Sequence, residues 1–534
     1  MKKKHLVLLS MLSGILFTLG WPVNGFPAFL FVALVPMLII EDQISRNPDQ
    51  FNKYSVFFYV YIGFFLWNVA TCWWIWNSTP VAALAWLFNA MFMGIVFQVY
   101  HYVRKHVYGV NKGYFVLPFL WITFEFIHVN WKLTWPWLNL GNGFEVYGHW
   151  VQWYEYTGIL GGTLWIIIVN LLLFLAIRPV QKTKKVIYLN VGLALTILLV
   201  PMLISYLIYY NYEETVDPIV VIISQPNLDP YTEQYTVPPV EVVERNLKLV
   251  EPLLDSNTDF VVAPESALQE AIWEGHLDWS PSLKRLNGFV EENPHLGIVI
   301  GASTFRRIPD GEKIPSSARY HEKQEFYYDR YNTAFLIDTA QLYQKHHKSK
   351  LTPGVEYMPS WGPLNFLEHL ALDLGGTVGS LGIDDDQIPF PWRDGIVIAP
   401  LICYESVYGE FTGNFVKNGA NVIFVITNDG WWGHTPGHKQ HLYFSSLRAI
   451  ETRRSIARSA NTGISCFVDQ RGDLHQATKY WEPAAIKQSI NLNSELTFYT
   501  RMGDYLGRIS AFLSVIFILI AIVFKIRNRK NKLA

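Results

Sequence analysis

Apolar residues are concentrated in eight runs, and one long polar segment, residues 211–505, lies between the seventh run and the eighth. A membrane-spanning helix needs roughly 20 predominantly apolar residues. The third, fourth, sixth, seventh and eighth runs reach this length, whereas the first two are shorter. We therefore predict a polytopic α-helical membrane domain with about eight spans, at approximately 5–21, 27–41, 55–76, 80–102, 113–128, 157–177, 186–210 and 506–526.

The overall composition agrees with a chain that is largely embedded in lipid. Of its 534 residues, 51% are hydrophobic and only 16% are charged, whereas a typical soluble domain has about 25% charged residues. A formal net charge of -1 gives no indication of a nucleic-acid partner. The three cysteines are too few and too scattered for a disulfide framework.

Basic residues are distributed unequally between the two sides that eight spans would create. If the N-terminus is inside, lysines and arginines cluster in the inner segments and the C-terminal tail, and the short outer loops contain only Lys132. Cytoplasmic loops typically have such an excess of Lys and Arg. We therefore expect residues 211–505 to lie on the far, extracytoplasmic side of the membrane.

The long polar segment has the pattern of an α/β domain, because short β-branched runs alternate in it with amphipathic stretches. The clearest helical pattern covers residues 438–459. We predict three parts of the chain: helices 1–7 in residues 1–210, the α/β domain in 211–505, and helix 8 with a basic tail in 506–534. The predicted strands are 219–227, 260–268, 297–303, 332–338, 395–405, 421–429 and 463–470.

Cys403 ends the predicted strand "IAPLIC" and is followed by "YESVYGEF", which predicts a turn into a helix. A thiol at a helix N-terminus or beside a cation can become a nucleophilic thiolate. The alternative is a small core residue, which is what free cysteines usually are. Cys466, inside "GISCFVD", lacks polar neighbours and is expected in the core, and Cys72 is expected to face lipid or pack between helices.

Two further polar residues stand near the ends of apolar runs, where α/β domains place their chemistry. Glu265 follows a predicted strand in "VVAPESAL" and is either a general base or an acid that begins a helix. In "YQKHHKSKLTPGVEYMP", Lys345, Lys348 and Lys350 are all candidates for an ammonium that stabilises an oxyanion, and a solvated basic loop is the alternative.

The order of these residues resembles the nitrilase, or carbon–nitrogen hydrolase, superfamily. "APESA" resembles its Glu motif, "HKSKLTPGVE" its Lys motif and "LICYES" its Cys motif. In the Lys motif the catalytic lysine lies three residues before a leucine, which selects Lys348. The resemblance implies an α-β-β-α sandwich fold for the extracytoplasmic part, with Glu265, Lys348 and Cys403 as a catalytic triad.

A second resemblance extends over nearly the whole chain. "TNDGWWGHTPGHKQHLYFSSLRAIETRRSIARSANTGIS" (427–465), together with "LTWPWLNLGNGF" (133–144) and the predicted spans, is similar to the apolipoprotein N-acyltransferase family. "TWPW" departs from the family's usual Gly-Phe-Pro-Trp, and "TPGVE" from its Val-Pro-Phe-Gly-Glu. These departures leave the preference for acyl donor or acceptor open. The resemblance implies a multi-pass enzyme of the bacterial cytoplasmic (inner) membrane.

The resemblance also implies a mechanism that needs no cofactor. Glu265 would deprotonate Cys403, which attacks an ester carbonyl of a phospholipid, while Lys348 and a backbone N–H near Tyr404 hold the oxyanion. The thioester would then acylate the α-amino group of a diacylglyceryl-lipoprotein, with ping-pong kinetics. Glu356 and Glu405 match further acids of the family motifs. The residues alone indicate surface carboxylates at both positions.

Several other residues have two possible roles. Trp135, Trp137, Trp431 and Trp432 suit an interfacial belt or an acyl-chain channel, and packing is as good an explanation. Glu125 is essentially the one acid inside the apolar runs, and we expect it either to anchor the external loop 129–156 or to reach the interface.

The histidine-rich stretch "GHTPGHKQHLYF" invites a metal site. It contains His434, His438 and His441 but no acid or cysteine at ligand spacing, so we predict no metal. His441 also aligns with a histidine of the family, and we expect it to support the fold or the wall of the active site.

Two other functions remain as alternatives on the sequence alone. A membrane-tethered amidase or nitrilase would use the same triad and release its product to water. A transporter or receptor would only bind ligand, and replacing Cys403 by Ser would leave its function intact.

Overall fold

The computed structural model describes residues 1–78, 84–178, 183–234, 236–340, 343–357 and 380–533. It divides into two compact units. The helical unit consists of Met1–Trp76, Ala82–Asn211 and Met502–Ala534, and the α/β unit consists of Asn77–Val81 and Tyr212–Arg501.

The helical unit has a helix at each predicted span. Among the residues that the structure describes, seven helical segments are long and apolar enough to cross a membrane: Lys3–Gly20, Pro27–Arg46, Ser55–Asn77, Leu84–Tyr108, Ile159–Ile177, Lys184–Asn211 and Tyr505–Asn528. At the fifth predicted span the helix Val116–Asn130 is apolar but shorter. The apolar helices are therefore confirmed, whereas the number of spans stays a prediction.

The helix around Glu41 extends further than its apolar run indicates. The sequence predicts an end near 41, but the helix Val35–Arg46 continues through two buried acids, Glu41 and Asp42. Arg104 binds Glu41 at 2.5 Å and Arg178 binds Asp42 at 2.8 Å. Glu125 is therefore not the only buried acid of the helical unit. The expectation of one was wrong because these charges compensate each other across helices.

The α/β unit contains two β-sheets. The larger sheet has the order β14-β1-β2-β4-β6-β5, with β3 paired to β4 and β7 to β6, and the smaller has the order β13-β12-β11-β10-β9-β8. The strands are β1 (Pro218–Gln225), β2 (Phe260–Val262), β3 (Leu268–Trp273), β4 (Gly297–Arg307), β5 (Arg319–His321), β6 (Phe326–Ile337), β7 (Gln344–His347), β8 (Phe390–Pro391), β9 (Val397–Ile402), β10 (Val422–Thr427), β11 (Ile456–Ala460), β12 (Cys466–Val468), β13 (Leu474–His475) and β14 (Ala484–Asn491).

The two sheets pack face to face, with helices outside them. The inner core joins Val221 and Val299 of the larger sheet to Phe424 of the smaller one. The helices Pro239–Val250 and Pro281–Glu292 cover the other face of the larger sheet. Among the described residues of this unit, further α-helices are Gly409–Lys417, Gly437–Thr452 and Phe498–Met502. Central strands such as β10 and β11 are buried on both faces, which explains why the sequence has continuous apolar runs there.

The predicted helix 438–459 ends seven residues early. It runs over Gly437–Thr452, and Arg453 has a left-handed backbone with φ 52° that ends it. The following residues, Ile456–Ala460, instead form β11, which pairs in parallel with β10. Parallel pairing inside the sheet overrides the helical periodicity of this stretch, which the sequence alone does not reveal.

Candidate active site

Glu265 lies just beyond the end of β2, and its carboxylate is almost fully buried. Its Oε2 accepts the backbone N–H of Asn428 at 3.0 Å. Its Oε1 accepts the Asn332 side-chain amide at 2.7 Å and the Lys348 ammonium at 3.1 Å. One donor lies inside β6 and the other two follow the ends of β10 and β7, so three separate segments fix the carboxylate in one orientation.

Lys348 follows β7, and its backbone N–H donates to the Asn332 carbonyl at 2.8 Å. The side chain is buried, and Nζ also binds Oε1 of Glu356 at 2.8 Å. Burial disfavours the charged ammonium, but the carboxylates of Glu265 and Glu356 outweigh it and raise the pKa of Lys348 well above its ordinary value. Lys348 is therefore a fixed positive charge.

Cys403 comes directly after β9, with its backbone in the left-handed region at φ 50°. A non-glycine residue held in this region stores strain, which is frequent at functional sites. Burial and the negative charge of Glu265 raise the pKa of the thiol, against the opposing effect of Lys348. The resting group is therefore a thiol, which needs a base at the moment it reacts.

Glu356 and Glu405 are both tied to the loop that contains Lys348. Glu356 accepts the Thr352 N–H at 2.9 Å, and Lys348 lowers the pKa of Glu356 against the effect of burial. Glu405 is fully buried and accepts the backbone N–H groups of Ser349 at 2.6 Å and Ile402 at 2.8 Å. Glu405 thus joins the residue after Lys348 to the residue before Cys403.

One cavity of about 150 Å³ contains the three residues of the predicted triad. Trp431 and Trp432 also line it, as the sequence interpretation allowed. Tyr404 is buried and packs edge-on against Tyr408, with ring centroids 5.3 Å apart. The described lining residues are Ser78, Gln234, Glu265, Ser266, Gln269, Ser303, Arg330, Tyr331, Asn332, Lys348, Thr352, Val355, Glu356, Leu381, Cys403, Asn428, Trp431 and Trp432.

Comparison with known proteins covers both units. Residues 13–172 match the model of the apolipoprotein N-acyltransferase N-terminal domain, and residues 233–495 match the model of the carbon–nitrogen hydrolases. The apolipoprotein N-acyltransferase of Chlorobaculum tepidum is 26% identical over 97% of this chain and 96% of that protein. Over nearly its whole length the chain is similar to the apolipoprotein N-acyltransferases.

Other relatives and a solved structure are similar at the same or a lower level. The apolipoprotein N-acyltransferase of Thermotoga maritima is 26% identical over 98% of this chain and 95% of that protein. The crystal structure of Nit3 from Saccharomyces cerevisiae, a nitrilase-superfamily member, is 14% identical with a TM-score of 0.35 and covers 52% of this chain and 90% of that one.

A buried series of polar contacts leads to the backbone of Cys403, and the sequence did not predict it. Arg458 binds Oδ2 of Asp429 at 2.6 Å, and Oδ1 of Asp429 lies 2.8 Å from Nδ1 of His441. Nε2 of His441 lies 3.2 Å from the carbonyl oxygen of Cys403. Burial opposes ionisation of Asp429, but Arg458 and His441 hold its pKa at about 2. The resemblance of residues 427–465 to a family motif was the only indication in the sequence of this series of contacts.

Asn332 is a second site residue that the sequence did not single out. It lies in the middle of β6, and its amide donates to Glu265 at 2.7 Å and to Glu356 at 3.2 Å. From the sequence alone, a polar residue inside a predicted strand is expected at the protein surface. Its partners lie far away in the sequence, so only the fold shows the contact.

The remaining predicted residues are not among the described lining residues of this cavity. Trp135 and Trp137 are buried in the helical unit, stacked at 5.5 Å. His438 stacks on Tyr480 at 3.8 Å, whereas His441 faces Asp429. Among the described residues no group of three or more His, Cys, Asp or Glu could hold a metal ion. Cys72 and Cys466 are buried, each within its own unit.

Proposed function

We propose that this protein transfers a fatty acyl chain from a membrane phospholipid to the α-amino group of an N-terminal S-diacylglyceryl-cysteine of lipoproteins. The observation that supports this most directly is that Cys403, Glu265 and Lys348 line one cavity, with Lys348 Nζ 3.1 Å from Glu265 Oε1. The names of the relatives supply the acceptor class, because they are apolipoprotein N-acyltransferases.

The first half-reaction begins with proton transfer from Cys403 to Glu265. The thiolate attacks the ester carbonyl of the phospholipid, and a C–S bond forms. The glycerol oxygen then leaves as the C–O bond breaks, and Glu265 returns the proton to it. A positioned carboxylate of this kind contributes about 10²- to 10⁴-fold to a rate. Because the thiol is protonated at rest, the general base is essential to this step.

Lys348 and a backbone N–H near Tyr404 would stabilise the oxyanion of both tetrahedral intermediates. Preorganised charges in a water-poor cavity stabilise developing negative charge strongly. Glu356 and Glu405 would position the reacting groups. Glu356 binds the Lys348 ammonium at 2.8 Å, and Glu405 accepts the backbone N–H groups of Ser349 and Ile402. Tyr404 supplies the peptide N–H next to the nucleophile.

In the second half-reaction the acceptor amine attacks the thioester carbonyl. The C–N bond forms, the C–S bond breaks, and Glu265 relays the amine proton to the departing thiolate. Two half-reactions through one covalent intermediate give ping-pong kinetics. We place residues 211–505 on the extracytoplasmic side of the inner membrane, because the short outer loops contain only Lys132. Trp431 and Trp432 would contact the acyl chain, and the same role for Trp135 and Trp137 stays a prediction.

The test is intact-protein and peptide mass spectrometry of the full-length protein after incubation with phospholipid vesicles. We expect one acyl mass on Cys403 that hydroxylamine removes and a diacylglyceryl peptide discharges with formation of an amide. Cys403→Ala should show no adduct, and the matched control Cys466→Ala, at a buried core cysteine, should keep it. Acyl transfer that persists in Cys403→Ala, or release of free fatty acid as the main product, would contradict the proposal.

A further inference from the structure

The cavity around Cys403 has a chemically mixed lining. Its apolar and aromatic lining residues include Trp431, Trp432 and Leu381. Its polar lining residues include Arg330 and Ser303. A ligand that fits this lining is itself amphipathic, with an apolar chain and a polar or charged group joined near the reacting atom. A glycerophospholipid has this construction.

Arg330 lies on the same strand face as a residue that touches the triad. Arg330 and Asn332 are two residues apart in β6, so their side chains leave the sheet on the same side, and Asn332 binds Glu265. The neighbouring strand agrees, because Phe305 and Ser303 of β4 pair with Arg330 and Asn332. The guanidinium carbon of Arg330 lies 5.2 Å from the centre of the Phe305 ring.

Arg330 supplies a positive charge that the triad does not use. Among the described residues lining the cavity, the cations are Lys348 and Arg330. The ammonium of Lys348 is bound to two carboxylates, those of Glu265 and Glu356. Lys348 is thereby held beside Glu265, whereas Arg330 lies two residues from Asn332 along β6. An anion at that part of the cavity would meet the guanidinium of Arg330.

The spacing suits a phosphodiester. Two residues along a strand correspond to about 7 Å, and only the glycerol backbone separates the reacting ester from the phosphate of a phospholipid. A guanidinium has five donors in a planar fork that matches phosphate oxygens, and it can serve several acceptors at once. An acyl ester placed at Cys403 with its chain along Trp431 and Trp432 would direct its phosphate toward Arg330.

We propose that Arg330 binds the phosphodiester of the acyl donor and so selects phospholipids over uncharged acyl esters. The proposal rests on the proposed function, since it names how that reaction recognises its first substrate. It applies to the first half-reaction alone: the phosphate leaves with the lysophospholipid, and the acceptor attacks through a neutral amine. Discharge of the thioester should therefore be independent of Arg330.

The experiment compares two donors that have the same esters. Full-length protein in mixed micelles is given phosphatidylglycerol or the matched uncharged 1,2-diacylglycerol, and the rate of acyl-Cys403 formation is measured by mass spectrometry. A charge-assisted hydrogen-bond pair corresponds to roughly 10- to 100-fold in rate. We expect the wild type to prefer the phospholipid by this factor and Arg330→Gln to lose the preference, because its rate falls on the phospholipid and much less on diacylglycerol.

Two further variants and one further measurement make the test specific. Arg330→Lys keeps the charge and should keep part of the preference. Arg307→Gln removes a guanidinium that is exposed on β4, against the Phe326 ring and outside the cavity lining, and should leave the preference intact. In Arg330→Gln the rate at which a diacylglyceryl peptide discharges the preformed thioester should equal that of the wild type.

The outcomes separate this proposal from the proposed function. Equal loss of rate on both donors, or an unchanged preference in Arg330→Gln, overturns the role of Arg330 while acyl-Cys403 still forms. No acyl adduct on Cys403 of the wild type from either lipid overturns the proposed function, and the role of Arg330 falls with it.

Discussion

His441 Nε2 lies 3.2 Å from the carbonyl oxygen of Cys403, the residue whose backbone adopts φ 50°. The other ring nitrogen of His441 faces Asp429 at 2.8 Å, and Arg458 binds the same carboxylate. The imidazole is therefore oriented by a buried ion pair, and it contacts the peptide group of Cys403. Strained backbone persists when the surrounding structure determines it in this way.

We expect His441→Gln to slow acylation of Cys403 much more than it destabilises the fold. Loss of the contact to the Cys403 carbonyl would let the thiol move from its position beside Glu265, and a shift of about 1 Å can cost roughly 10²-fold in rate. The measurements are the rate of thioester formation and the melting temperature. His438→Gln, one turn earlier on the same helix, is the control. Equal effects of both variants would show that His441 acts through packing.

The sequence singled out the residues of this cavity that follow strand ends and missed residues that lie inside strands. Glu265, Lys348 and Cys403 follow apolar strands, and motif resemblance named all three, which the fold places in one cavity. Asn332 and His346 lie within strands and contact Glu265 and Glu405 over long sequence separations. Such contacts depend on strand pairing, which hydrophobic periodicity does not encode.

The secondary-structure predictions show the same difference: elements marked by a local apolar run were predicted, whereas an element that depends on long-range pairing was not. Apolar runs predicted the helices of the helical unit and the α/β character of the rest, because burial of whole faces determines both patterns. The edge strand β14, which pairs antiparallel with β1, was not predicted. Most of its residues are half-buried, so no apolar run marks it, and its pairing with β1 is a long-range contact.

Replacing Glu405 by Gln should impair both stability and activity. The carboxylate accepts two backbone N–H groups, those of Ser349 and Ile402, and lies 3.0 Å from Nε2 of His346. A glutamine amide would direct its own N–H₂ at one of these donors. A buried donor left unsatisfied costs about 1–3 kcal/mol. Because Ser349 follows Lys348 and Ile402 precedes Cys403, the displacement would also reach the Lys348 ammonium and the Cys403 thiol.

The check is a pair of measurements on the full-length protein, the melting temperature and the rate of acyl-Cys403 formation. Glu322→Gln, at an exposed position, is the control and should change neither quantity. A Glu405→Gln protein with wild-type values of both would show that these hydrogen bonds are dispensable.

Glu274 should contribute to stability in a manner that depends on pH. Burial opposes its ionisation, but His347 at 2.6 Å and Lys345 outweigh burial and lower the pKa of Glu274 from 4.5 to about 2. A folded-state pKa below the unfolded one gives stability that is present above pH 4.5 and is lost as the pH falls toward 2. The shift corresponds to about 3 kcal/mol.

The measurement is the difference in melting temperature between wild type and Glu274→Gln across this acidic range. We expect the wild type to be more stable near neutral pH and the difference to shrink steadily as the pH falls below 4.5. Glu312→Gln, which removes a half-exposed partner of Arg306, should show a small difference at every pH. A difference for Glu274→Gln that stays constant with pH would mean that the change acts through packing alone.

Glu125 anchors the segment after its own helix, and its replacement by Gln should loosen that segment. Its Oε1 accepts the Leu140 N–H at 2.8 Å and the Trp121 indole N–H at 2.9 Å, and its Oε2 accepts the Thr163 hydroxyl at 2.6 Å. All three partners donate to the carboxylate, so the N–H₂ group of a glutamine would face one of these donors.

The expected loss in free energy of unfolding is about 1–3 kcal/mol, measured as a lower melting temperature and faster amide hydrogen exchange at Leu140. Glu155→Gln, in the same unit, is the control. Unchanged melting temperature and unchanged exchange at Leu140 would show that the carboxylate does not hold this segment.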